Sequence, residues 1–351
     1  MSKEDRNSTS ISAGESHSQS HFRYSTVLGY FQQSAPSQDA NGKDSTIDHV
    51  QSNFGLIDRS YDTDAEFDPT RSKSQWERFQ HWVRTLNARQ SQSDSRIIYK
   101  VLFLGRHGQG EHNVAEAYYG TDAWDCYWSL REGNESSTWA DARLTETGRA
   151  QARATHEAWR TEIDRGMLLP ESFYVSPLNR CLETAWITFH GLVGDAFSPV
   201  VMENLRETIG IHTCDRRSNR SAIQSEYPSY RIEDGFAEDD PLWDPELRES
   251  DSARDVRLKS ALDAIFSHDA AEFVSVTAHS GAITSILSVV GHRPFRLATG
   301  AVLPVFVRAE VVPGPEPPRN IDPPTRVPEC KGDPLKAGDG KIMARVTEIP
   351  N

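Results

Sequence analysis

Cysteine is scarce in this chain. Its 351 residues hold four, Cys126, Cys181, Cys214 and Cys330, with no CxxC pair among them. A zinc ribbon and a redox CxxC site are therefore unsupported. Four scattered thiols in so long a chain suit a reducing compartment better than a disulfide framework. Long apolar runs are missing too, so nothing reads as a membrane span. The opening MSKEDRNSTSISAGESHSQS shows no apolar core of a secretory signal. The last residues, Thr347 to Asn351, match neither a prenylation nor a retention signal. Positive charge is in deficit as well, with 38 Lys and Arg against 51 Asp and Glu, a net charge of −13. That balance argues against broad binding to nucleic acid and against docking on anionic lipid. The expectation is a soluble cytoplasmic protein.

What is present is more informative. The chain is long enough to bury a core without staples, yet 25% of it is charged and only 37% apolar. A mean hydropathy of −0.60 points to poorly ordered tail sequence. Residues 1–45, rich in Ser, Gln and Asn, read as a largely disordered tail. Within them Phe22–Phe31 is too aromatic for a plain linker: it is either an arm packed on the domain or a short partner-binding motif. Residues 46–96 form an N-terminal extension in which Trp76, Phe79, Trp82, Val83 and Leu86 fall at helical spacing. Residues 313–351 are a Pro-rich extension, expected to cross the surface as an extended tail.

Between these ends strands and helices alternate. Ile97–Leu104 is an apolar run typical of a strand buried on both faces. Ser172–Val175, Pro199–Met202, Phe273–Ala278 and Ala301–Val312 are further strands. Thr145 is a candidate N-cap for a helix to about Ile163. Ser176 and Pro177 are placed as N-cap and first residue of another, whose Leu178, Cys181, Leu182, Ala185, Trp186 and Phe189 share one face. Val256–Phe266 and the stretch from Ile283 to Val290 are also helical. The pattern predicts an α/β fold, with a mostly parallel central sheet and helices on both faces, spanning residues 97–312.

In such sheets ligands bind beyond the carboxyl ends of the strands. There the sequence carries Gly105-Arg106-His107-Gly108, Ser176-Pro177-Leu178-Asn179-Arg180, Leu205-Arg206-Glu207 and His279-Ser280-Gly281. Two arginines and two histidines converging on one crevice suit a tetrahedral, multiply charged anion, because the guanidinium fork matches phosphate oxygens. The metal reading of His107, His112 and His279 fits no known zinc spacing. The acidic run Glu233–Asp240 reads as a solvated loop rather than a magnesium site.

These segments, taken in order, resemble the histidine phosphatase superfamily, also called phosphoglycerate-mutase-like. Arg106-His107-Gly108 with Asn113 resembles its first motif, Leu144–Ala152 its LTxxGxxQA stretch, and Ser176–Ala185 its SPLxRxxxTA stretch. Ala278-His279-Ser280-Gly281 stands at its second histidine, where Gly-His-Gly is commoner. The wording RHGQGEHN and WADARLT looks like the fungal-type branch. The resemblance implies that His107 attacks phosphorus to form a phosphohistidine. Arg106, Arg180 and His279 then cradle the transferring group, Asn113 adds a neutral donor, and Glu207 serves as general acid and base. It implies no cofactor and no metal.

Ser280 and Gly281 are expected to offer backbone N–H groups to an anion at a helix start. Two loops lie where the family varies its substrate cover. Tyr118–Trp128, with Trp139, is either a lid or an anchor for a long insert. His212, Arg216 and Arg217 either meet a second anionic group or pair with nearby carboxylates. The expected function is a phosphomonoesterase acting on a small phosphorylated metabolite. The alternatives are a phosphomutase with the same phosphohistidine and a non-catalytic phosphometabolite-binding protein.

Overall fold

A computed structural model of the chain describes residues 19–35, 45–47, 50–90 and 96–336. Most of the expected disordered tail and the chain's last fifteen residues lie outside these. Eleven strands occur among the described residues: β1 (Ser20–Thr26), β2 (Ser45–Ile47), β3 (Ile97–Arg106), β4 (Ser172–Val175), β5 (Val200–Val201), β6 (Arg231–Ile232), β7 (Leu247–Arg248), β8 (Phe273–Ala278), β9 (Phe295–Leu297), β10 (Val302–Pro313) and β11 (Thr325–Arg326). Seven make one sheet in the order β1-β10-β3-β8-β4-β5-β6, while β7 pairs with β11 and β2 with β9. From β3 to β6 every neighbour is parallel; β10 runs antiparallel to β3, and β1 antiparallel to β10. The sheet is thus mostly parallel, as expected.

Alternation along the central strands builds two cores. On β3, Val101 and Phe103 face one cluster, and Leu102 and Leu104 the other. The first cluster is strongly aromatic. It takes Trp76, Phe79 and Val83 from α2 (Gln75–Gln90), which follows the single turn α1 (Asp64–Phe67), and Trp159 from α5 (Glu146–Asp164). It also takes Cys181, Leu182, Ala185 and Phe189 from α6 (Asn179–Val193). The second cluster packs Leu258, Leu262 and Ile265 of α8 (Asp251–His268) with Ile283, Ile286 and Leu287 of α9 (Ser280–Val289). Helices therefore cover both faces. The aromatic arm packs on the domain: Phe22 and Tyr24 of β1 cover the second core, and Tyr30 and Phe31 are buried in the first. Thr145 caps α5, its side chain accepting from Gly148 N.

Three expectations need correction. The helix after β4 begins at Asn179, with Leu178 as N-cap. Ser176 is drawn away because its Oγ lies 2.7 Å from His279 Nε2. Tyr118–Trp128, expected to be a loop, instead takes in the end of α3 (Glu111–Tyr119) and the whole of α4 (Thr121–Cys126). The four cysteines are not all thiols: Cys126 and Cys330, 204 residues apart, form a disulfide, while Cys181 and Cys214 are buried and free. Residue spacing could not disclose that pair, because it depends on the tail folding back along β7 to reach α4. A further helix, α7 (Arg220–Glu226), precedes β6 at the edge of the sheet. No helix among the described residues is long and apolar enough to cross a membrane.

Candidate active site

The loop after β3 is locked by the motifs around it. His107 N donates to Ala278 O at the end of β8 (3.0 Å). Gly108 N donates to Thr184 Oγ1 (3.0 Å) and Gln109 N to Gln151 Oε1 (2.8 Å). The chain then passes so close to α5 that a Cβ on Gly108 would lie 2.3 Å from Gly148 O, and one on Gly148 would lie 2.1 Å from Gln109 O. Only two glycines allow that approach. Thr184, Gln151 and Gly148 are thus the physical content of two stretches that in the sequence looked like mere accompaniment.

His107 is buried, and its Nδ1 lies 2.7 Å from Gly108 O. A carbonyl can only accept, so Nδ1 carries the proton and Nε2 keeps its lone pair. Burial first, then Arg180 and Arg106, hold its pKa well below 6.5. The ring is therefore neutral. His112 and His279 surround it, with ring centroids 5.5 and 5.1 Å away. Both are also held well below 6.5, chiefly by burial and then by Arg180. Beneath His279 lies Cys181, with Sγ 3.4 Å from Nε2.

The two arginines are anchored differently. Arg106 Nη1 donates to Leu297 O (2.7 Å). Arg180, 1% exposed, donates to Cys214 O (2.6 Å) and to Asp215 Oδ1 (2.9 Å). Asp215 also meets Arg248 through Oδ2 (3.3 Å). Burial pushes the Asp215 carboxyl up, but Arg248 and Arg180 outweigh it and the net shift is down. One buried carboxylate thus serves two guanidinium groups. The start of α6 is fixed by Asp141, which accepts from Asn179 N (2.9 Å) and Nδ2 (2.6 Å). Glu207 accepts from Gly281 N (2.9 Å) and Thr208 N (3.0 Å). A Cβ on Gly281 would fall 2.1 Å from Glu207 Oε1, so any side chain there would push the carboxylate out of place.

Arg106, His107, Arg180 and Glu207 line one cavity of about 650 Å³. Asn113, His212, Ser280 and Gly281 also line it. Asn113 Oδ1 accepts from Gly110 N (2.9 Å), which leaves the donor end of the amide for the pocket. The helix-start N–H of Gly281 is given to Glu207 rather than left for an anion. His212 is buried, 3.6 Å from Asp125, and lowered to about 4 mainly by burial. His279 is fully buried behind the wall and reaches the site beside His107.

Arg216 and Arg217 do not belong to this cavity. The short turn Thr213–Asp215 aims Cys214 and Asp215 inward, leaving Arg216 half-exposed on Glu132 (2.6 Å). Arg217 is buried on Glu203 (2.9 Å) and on backbone carbonyls of Ala237, Glu238 and Asp239.

Sequence reasoning missed Asp215, Arg248, Glu116 and Asp125, which also line the cavity. Burial raises the carboxyls of Glu116 and Asp125. No motif marks them, though Glu116 lies three residues beyond Asn113 on α3 and shares its face. The aromatic segment serves both expected ends: Trp124 lines the cavity, while Tyr119 stacks on Trp128 at 3.9 Å above Trp139 in a small core of its own. His212, Cys214 and Asp215 stand close enough to share a metal ion. The donor set does not suit one: Asp215 is committed to two arginines, and burial drives the Cys214 thiol far up.

Comparison with known proteins agrees with this geometry. Residues 102–299 match the family model of the histidine phosphatase superfamily (branch 1). A protein of Arthroderma benhamiae named probable phosphoglycerate mutase is 55% identical over 290 residues, covering 82% of this chain and 84% of that protein. Phosphomutase-like protein 3 of Candida albicans is 36% identical over 289 residues, covering 82% and 81%. Probable phosphoglycerate mutase PMU1 of Saccharomyces cerevisiae is 39% identical over 235 residues, covering 61% and 80%. With the arginines, histidines and glutamate gathered beyond the carboxyl ends of β3, β4, β5 and β8, these matches make the chain a member of the histidine phosphatase superfamily.

Proposed function

We propose that this chain is a phosphomonoesterase that hydrolyses a small phosphorylated metabolite through a phosphohistidine on His107. The observation that carries this reading is the Nδ1 bond to Gly108 O, which leaves Nε2 unprotonated beside two guanidinium groups. Nε2 attacks phosphorus while the P–O ester bond breaks, and Glu207 gives a proton to the departing oxygen. Water then attacks the phosphorus, Glu207 takes a proton from it, the P–N bond breaks, and inorganic phosphate leaves. Arg106 and Arg180 meet the charge on the equatorial oxygens in both steps. Asn113, Ser280 and His212, which line the cavity, take part in binding, Gly281 instead holds the Glu207 carboxylate, and no metal ion is required.

A phosphomutase is the second reading, favoured by the printed names of the relatives. It uses the same phosphohistidine but returns the group to a hydroxyl of the retained alcohol. A test with an aryl phosphate and with phosphoglycerates, in chelator, separates the two. The phosphatase reading expects free phosphate from the wild type and none from His107→Ala. Phosphoryl transfer between hydroxyls with little free phosphate would decide for the mutase. An acid-labile phosphoenzyme that still forms in His107→Ala would overturn the mechanism.

A further inference from the structure

The Pro-rich tail does more than cross the surface. Thr325, Arg326 and Pro328 line the same cavity as Arg106, His107 and Glu207. We infer that this strap, pinned by Cys126–Cys330, is a substrate-selecting wall that confines the active site to small phosphate esters. The inference rests on the phosphatase reading for its chemistry, but the position of the wall is independent of it.

The strap is attached at three points. Ser250 Oγ donates to Asp322 O (2.9 Å) and Ser252 Oγ to Asp322 Oδ2 (2.8 Å). Thr325 then pairs with Arg248 and Arg326 with Leu247, placing Thr325 opposite an arginine of the cavity wall. Finally Cys330 is bonded to Cys126, at the end of α4, whose Thr121, Trp124 and Asp125 line the cavity from the other side. Prolines 323, 324 and 328 stiffen the span between these points. The disulfide therefore joins two walls of one pocket.

Two further contacts hold the strap outside the span from Asp322 to Cys330, the ion pair of Glu316 with the buried Lys259 (2.9 Å) and the bond from Trp128 Nε1 to Pro334 O (3.0 Å), but within that span little else holds it down. Between Pro315 and Lys336 every residue is exposed except Val327 and Pro334, which are half-buried. The ion pairs Arg326–Glu246 and Lys331–Asp122 join side chains that are about three-quarters exposed, and such pairs contribute little. Without apolar burial, the covalent bond is the dominant constraint on where the span from Thr325 to Cys330, which borders the cavity, lies. A phosphoryl group on a peptide has chain on both sides and needs an open mouth; a small ester does not.

The test replaces both bonded cysteines, Cys126→Ser with Cys330→Ser, in the full chain. The first measurement is kcat/KM for 4-nitrophenyl phosphate and for a phosphoserine decapeptide. The second is the rate at which a bulky maleimide labels Cys214, a buried thiol of the cavity lining, located by peptide mass. The wall predicts that the peptide-to-aryl ratio rises at least tenfold, with kcat on the aryl ester within twofold, and that Cys214 labels at least tenfold faster. If that variant does not fold, Ser252→Ala with Asp322→Ala loosens the other end and should move both readouts two- to fivefold. Should the wild type hydrolyse neither substrate, the catalytic reading falls and the labelling rate alone decides on the wall. A ratio unchanged within twofold in an active enzyme, or unchanged labelling in an inactive one, overturns the inference.

Discussion

Three neutral histidines packed against two arginines make stability depend on pH in a calculable way. His107, His112 and His279 are each held well below 6.5, by burial first and by Arg180 next. The unfolded chain binds protons on all three below pH 6.5; the folded chain does not. Their depressed values therefore leave the fold unpenalised above pH 6.5, and stability is lost progressively as pH falls from there toward the folded values. Each such group contributes about 1.4 kcal/mol per pH unit once the unfolded form is largely protonated, so three together give about 4 kcal/mol per unit. Domains of this kind have a total stability of about 5–15 kcal/mol, so two pH units of acidification would remove most of it. His212 and His292 are shifted the same way and can only steepen the slope.

Urea unfolding at pH 7.5, 6.5 and 5.5, in buffer free of phosphate, measures that slope. His112→Gln removes one of the three groups and should lower it by about a third. Inorganic phosphate should flatten it, because a dianion in the cavity favours the protonated histidines, while raising stability by mass action. A wild-type slope below about 1.4 kcal/mol per pH unit between pH 6.5 and 5.5 would refute the reasoning. The folded histidines would then take up protons about as readily as the unfolded ones, and the lowering of His107 by burial and by the two arginines would not hold.

Other perturbations probe the supports of the site. Asp215→Asn leaves Arg180 and Arg248 without their shared charge and should cost about 3–5 kcal/mol in chemical denaturation. Because the Asp215 carboxyl is lowered below 3.8 by those arginines, its contribution is full above that pH and lost below it. The deficit of the variant should therefore be the same at pH 8 as at pH 6; a deficit that vanished at pH 6 would contradict the pairing. Gly281→Ala forces a methyl against Glu207 and should lower kcat at least tenfold while the melting temperature moves only a few degrees. Full activity in that variant would mean that Glu207 is not the proton carrier. Arg216→Gln should leave kcat/KM within twofold, and a tenfold loss would return Arg216 to the substrate.

The strands and the reacting residues were legible because burial on both faces demands continuous apolar runs, and the site sits where those runs stop. Phe273–Ala278 and Ser172–Val175 match their strands residue for residue. Local rules failed where a tertiary partner outbid them. Ser176 and Pro177 have every mark of a helix start, yet the Ser176 hydroxyl is taken by His279, which follows the carboxyl end of the neighbouring parallel strand β8, 103 residues on in the chain. The segment Glu111–Tyr119 has weak apolar periodicity, and its helix is set off by Asn113 accepting from Gly110. Arg216 looked like the anion contact by proximity to Glu207, whereas Arg248 holds that place through pairing with a tail strand seventy-odd residues downstream. Neither that pairing nor the disulfide leaves a periodic trace.

A chain with a net charge of −13 that binds a phosphate ester must keep a few cations uncancelled, and the structure distinguishes those from the rest by their partners. Arg206, next to Glu207, is wholly buried on Glu203 and Asp240. Arg217 is buried on Glu203, and Arg257 on Glu249. These guanidinium groups are neutralised by carboxylates and fasten loops together, Arg257 also donating to Glu207 O (2.9 Å). Arg106, in contrast, is held by a carbonyl, which orients the group without cancelling its charge. Arg180 and Arg248 share one carboxylate between them, so that pair keeps a net positive charge. Since low-dielectric surroundings strengthen whatever charge is left, orientation by carbonyls and by a shared aspartate is what gives this acidic protein a local anion site. Position in a motif does not predict which arginine plays that part: Arg206 and Glu207 are neighbours in sequence, and only the glutamate faces the cavity.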